Sequence, residues 1–150
     1  MQRLTNGTWV VVADGEKALF LENEGDAQYP ILRVRAVEIH DNPPDREQST
    51  DKAGQLGNRG AGTGSAIEET DYHRLERDRF AQDLAERLYK LSQKGRFDRL
   101  VIVAAPQTLG VLRPELHKEV QAKIVQEIPK SLTSMPIDKI EQAVLAEMSA

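Results

Sequence analysis

Residues 8–24 read TWVVVADGEKALFLENE. The first seven, Thr8–Asp14, are almost unbroken β-formers, which suits a strand buried on both faces rather than a half-exposed one. Asp14-Gly15 is a turn signal, and Lys17–Glu24 (KALFLENE) returns as the second strand of a hairpin. After Gly25-Asp26, the segment Ile31–His40 (ILRVRAVEIH) alternates as a third strand, and Asn42-Pro43-Pro44 ends regular structure.

The second half switches period. Phe80, Leu84, Leu88 and Leu91 recur at helical spacing from about Asp71 onward, with Arg77, Asp78, Asp83, Glu86, Arg87 and Lys90 on the other faces. Lys94-Gly95 is the expected stop. Arg99–Ala105 (RLVIVAA) reads as another buried strand closed by Pro106, followed by a short helix between Pro114 and Gln121. Ile124–Ile128 supplies a last strand. Pro136 opens a final helix with Ile137, Ile140, Val144 and Met148 on one face. Three strands, helix, strand, helix, strand, helix make an α/β fold with a mixed five-stranded sheet and helices on both faces, the order found in ribonuclease-H-like folds. At 150 residues the simplest expectation is a single domain, 1–150.

Composition removes several classes. With no cysteine there are no disulfides, thiolate metal sites or cysteine nucleophiles. Twenty Lys+Arg against 24 Asp+Glu give a net charge of -4, so any RNA contact has to come from a local patch. No membrane span and no export signal are evident, and the expected location is cytoplasmic.

From Asp41 to Thr70 nothing has a period, and a gap of about thirty residues far exceeds the usual ~4–6 residue connection. Within it, DKAGQLGNRGAGTGS (51–65) is mildly basic and rich in glycine. Its glycines fit neither the P-loop string nor the dinucleotide fingerprint. Such a loop suits either a flexible connector or a surface that orders on RNA.

A ribonuclease-H-like nuclease needs carboxylates converging on two metal ions. Asp14 with Glu76, Asp78 or Asp83 are the candidates, but the strand ending Ala104-Ala105-Pro106 offers no further acid. His40, His73 and His117 fall in separate elements without ligand spacing, so no metal or cofactor is expected. His73 stands near Arg74, Arg77 and Arg79, a cluster that reads as a solvated helix face or as a phosphate-binding patch.

Four stretches together carry a resemblance: TWVVVADGEKALFLE, RDRFAQDLAERL (77–88), FDRLVIVAAPQTLGVLR (97–113) and EIPKSLTSMPIDKIEQAV (127–144). On these the chain resembles the bacterial host attachment protein family, itself similar to the middle domain of archaeal and eukaryotic peptide-chain release factors. That domain carries a Gly-Gly-Gln loop between its early strands and a long helix, where this chain has Ala53-Gly54-Gln55. The host attachment family tends to Asp-Arg-Pro-Gly-Arg where this chain has Asp51-Lys52-Ala53-Gly54-Gln55, and to Lys-Asp-Leu-Thr where it has Lys130-Ser131-Leu132-Thr133. The resemblance implies Gly54 and Gln55 as catalytic residues positioning water at a peptidyl-tRNA ester. It implies Lys52, Arg59, Arg74 and Arg77 as RNA contacts, and a ribosome or tRNA as partner. Neither DNA nor a membrane is an expected partner, and a homo-oligomer is compatible with the sequence. The competing expectation is a non-enzymatic interaction module acting indirectly in attachment to host cells.

Overall fold

The structure, a computed structural model, describes residues 3–39 and the backbone of 62–149, with side chains from Tyr72 to Met148 in the second segment. Gly54, Gln55, Lys52, Arg59 and His40 lie outside the described residues.

Five strands form one sheet: β1 (Trp9–Ala13), β2 (Lys17–Asn23), β3 (Leu32–Ile39), β4 (Leu100–Ala104) and β5 (Ile124–Ile128). Their order is β3-β2-β1-β4-β5. β1 pairs antiparallel with β2 and parallel with β4, β2 pairs antiparallel with β3, and β4 parallel with β5. This is the mixed sheet expected from the sequence.

The unbroken apolar runs are explained by burial on both faces. Trp9, Val11 and Ala13 of β1, with Phe20, Leu100 and Ile102 beside them, face one helical layer. Val10, Val12, Leu19, Leu21, Val101 and Val103 face the other. The first layer is α1 (Gly62–Gln93), α2 (Pro106–Leu112) and α3 (Lys118–Gln121), contributing Phe80, Leu84, Leu88, Leu109, Leu112 and Val120. The second is α4 (Ile137–Ser149), whose Ile140, Val144 and Met148 bury as their spacing requires. β3 is an edge strand with Arg33, Val34, Arg35, Val37 and Ile39 exposed. It is tied to α1 by Arg87–Glu38 at 3.0 Å and to α4 by the Leu32 amide donating to Glu141 Oε2 at 2.7 Å.

Two expectations are corrected. α1 begins at Gly62, not Asp71. Ala66–Glu69 are sound helix formers, and a glycine at the start of a 32-residue helix costs only about 1 kcal/mol. The short helix expected between Pro114 and Gln121 shrinks to α3, after a 3-10 turn at Arg113–Glu115, and α2 precedes both where no helix was expected. Pro106 opens α2 rather than merely closing β4, because its missing N–H would be unpaired at a helix start anyway. The chain extends at Leu116, and the His117 ring caps α3 by accepting from the Glu119 amide at 3.1 Å.

Candidate functional site

β1 and β4 are parallel neighbours from which the chain departs in opposite directions, to β2 and β3 on one side and to β5 on the other. Ligands of open α/β sheets sit outside the carboxyl ends of strands at such a switch point. There, Ala18, Ala13 and Ala104 stand abreast on the α1 face of the sheet. These small side chains leave that end of the layer thin, and beside it opens a cleft of about 140 Å³.

Its walls are Phe80, Ala81 and Leu84 of α1 with Val111 and Leu112 of α2; its rim is Asp14, Gly15, Arg74, Arg77, Asp78, Gln107 and Thr108. Arg74 and Arg77, one helical turn apart, are thus brought to one opening. Arg77 is half-buried, with no hydrogen-bond or ion-pair partner among the described residues. Its stem crosses Gly15, where an added Cβ would lie 2.9 Å from Arg77 Cγ. Arg79, by contrast, pairs with Glu76 at 2.9 Å.

Asp14 is fully engaged as a turn residue. Its Oδ1 accepts from the amides of Glu16 and Lys17, both at 2.7 Å, and its Oδ2 accepts from the Thr133 hydroxyl at 2.7 Å. These three bonds serve the turn and its tie to Thr133, which is the structural role the turn signal in the sequence predicts. Asp78 lines the cleft while Asp83 does not, and no group of three metal-ligating side chains forms among the described residues. His73 meets Tyr72 edge-on, and His117 stacks on Tyr89 at 4.0 Å, so neither reaches the cleft.

A second groove, about 580 Å³, is lined by Trp9, Glu22, Arg35, Arg87, Lys94 and Arg96. Two of its four cations are neutralised by carboxylates. Arg35 bonds Glu22 at 2.8 Å and Glu24 at 2.6 Å, which holds its guanidinium above the ordinary value, and Arg87 is bound to Glu38.

Sequence reading found Arg74 and Arg77 but missed that Asp78, Gln107 and Thr108 share their cleft. The available signal was Pro106 directly after a buried strand, which puts the next two residues in a helical first turn at the sheet's carboxyl edge.

Sheet order and cleft together define an open α/β module built on a mixed five-stranded sheet. The chain belongs to bacterial archaeo-eukaryotic release factor family 12, whose model matches residues 7–144. It is also similar to the uncharacterized protein RP470 of Rickettsia prowazekii (strain Madrid E), at 30% identity over 74 residues. That match covers 48% of this chain and 49% of the relative, so the chain spans about half the length of the relative it matches. No helix among the described residues is long and apolar enough to cross a membrane.

Proposed function

We propose that this protein is a cytoplasmic, ribosome- or tRNA-directed module that assists hydrolysis of the peptidyl-tRNA ester. The observation that carries the reading is the release-factor family match over residues 7–144. The cleft adds support, because Arg77, half-buried at a sheet switch point and without a partner among the described residues, suits a phosphate oxygen. In this reading the segment around Gly54-Gln55 is the working loop. It joins α1 at Gly62, about 18 Å along the helix axis from Arg74.

Catalysis is positional. Gln55 and nearby backbone amides hold a water against the ester carbonyl carbon. The water oxygen bonds to that carbon, the bond to the ribose oxygen breaks, and the released proton ends on the ribose hydroxyl. Lys52, Arg59, Arg74 and Arg77 hold phosphates.

Co-sedimentation with ribosomes at moderate salt, paired with release of labelled peptide from peptidyl-tRNA, tests the proposal. Retention in the ribosome pellet together with peptide release lost in Gln55→Ala is expected. No retention by either form would sink it and leave the non-enzymatic interaction role in host attachment as the better reading.

A further inference from the structure

We infer that the cleft seats one unstacked pyrimidine base of an RNA strand, cytosine by preference, with its phosphate on Arg77. The inference rests on the RNA-directed reading above and specifies what the cleft reads.

Size comes first. An apolar cavity of about 150 Å³ holds benzene. A cleft of about 140 Å³ therefore takes one six-membered ring and leaves the second ring of a purine outside. The walls fit a ring's faces, since Phe80, Ala81, Leu84, Val111 and Leu112 are apolar and come from two opposing helices.

The rim is amphoteric, which argues against a plain phosphate patch. Arg77 and Asp78 are both half-buried, and neither has a hydrogen-bond or ion-pair partner among the described residues. Asp14, also on the rim, bonds Thr133 and two turn amides and makes no ion pair with Arg77. A guanidinium without an anion suits a phosphate, bidentately. A carboxylate acceptor suits the exocyclic amine of cytosine and repels the carbonyl that uracil presents in its place. Consecutive helical residues diverge by roughly 100° around the axis. Their ideal ligand therefore carries its amine and its anion well apart, as a nucleotide does and an amino acid does not. Across the cleft Gln107 and Thr108 supply further polar groups for the remaining base edge.

The test titrates the full chain with CMP, UMP, AMP, cytidine and ribose 5-phosphate, following methyl NMR signals of Leu84, Val111 and Leu112. CMP is expected to shift them, with UMP at least about fivefold weaker. Asp78→Asn should erase the CMP–UMP difference, and Arg77→Gln should erase the CMP–cytidine difference, each with unchanged circular dichroism. No shift by CMP at about 10 mM overturns the assignment. So does equal binding of CMP and ribose 5-phosphate, or displacement of CMP by an apolar amino acid. Ribosome association without CMP binding defeats only the cleft assignment; CMP binding without ribosome association keeps the assignment and defeats the ribosomal reading.

Discussion

The side chain of Arg77 occupies the space a side chain on Gly15 would need. A Cβ at Gly15 would stand 2.9 Å from Arg77 Cγ and 3.2 Å from Cδ. Gly15 does not have a positive φ, so the glycine serves this contact rather than the turn's dihedral angles. Gly15→Ala is therefore expected to leave stability within about 1 kcal/mol of the parent, since the backbone accepts alanine and the unfolded chain loses entropy. It should still push Arg77 out of the cleft. Urea denaturation with ribosome co-sedimentation would separate the two effects, and retention should fall as far as in Arg77→Gln. Full retention would mean that the position of Arg77 is immaterial.

The bond from Thr133 to Asp14 joins the segment after β5 to the β1–β2 turn. Thr133 is buried, and its acceptor is a carboxylate. Thr133→Val keeps the shape and removes the donor, at an expected cost of about 1.5–3 kcal/mol. Equilibrium unfolding measures this. Serine at the same position should recover most of the loss, which separates the hydroxyl from the methyl.

Asn23 is a buried junction. Its amide donates to the carbonyls of Leu4 at 2.8 Å, Thr5 at 3.2 Å and Asp26 at 3.2 Å. Its carbonyl accepts from the amides of Gly25 and Ile31, both at 2.9 Å. Asn23→Ala removes all five of these bonds, with only the Thr5 carbonyl keeping another donor, the Thr8 amide, and a loss of about 3 kcal/mol is expected. Asn23→Asp should be no better, because it replaces the donating amide with a negative oxygen facing three carbonyls. A thermal melt of both variants decides the point.

Lys123 closes the end of α1. Its Nζ donates to Ser92 Oγ at 2.7 Å and to the Phe97 carbonyl at 3.3 Å, and lies 5.5 Å from the centre of the Phe97 ring. A cation at a helix carboxyl end also meets the favourable end of the helix dipole. Lys123→Met retains the stem and should cost about 1–2 kcal/mol. Amide exchange should accelerate at residues 92–97 while the β1 amides stay protected.

Most of the sheet was legible because β1 and β4 are apolar without interruption and β3 alternates. β1, β2, β4 and β5 sit within a residue or two of where periodicity puts them, and Ile140, Val144 and Met148 face the core as their spacing demands. What misled was punctuation. Pro106 carries a stop signal in sequence, yet it begins α2. Glycines 62 and 64 concealed the start of α1, since local composition says nothing of a helix that continues to Gln93. The cleft was half legible. Arg74 and Arg77 stood out as a basic turn, but Gln107 and Thr108 approach them only through the pairing of β1 with β4. The engagement of Asp14 by Thr133 rests on a contact between residues 119 apart, which no local pattern encodes.

The parallel pairing of Trp9–Ala13 with Leu100–Ala104 also sets a timetable for biosynthesis. A wholly buried apolar strand emerges early, and its parallel partner follows about ninety residues later. At elongation rates of roughly 5–20 residues per second, that interval is on the order of 5–20 s. Throughout it, β2 can cover only one edge of β1, and α1 has only half a sheet to settle on. A nascent chain stalled before residue 100 would present Val10, Val11 and Val12 to whatever waits at the exit tunnel, so slow codons in the first two-thirds of the message should raise chaperone dependence more than those in the last.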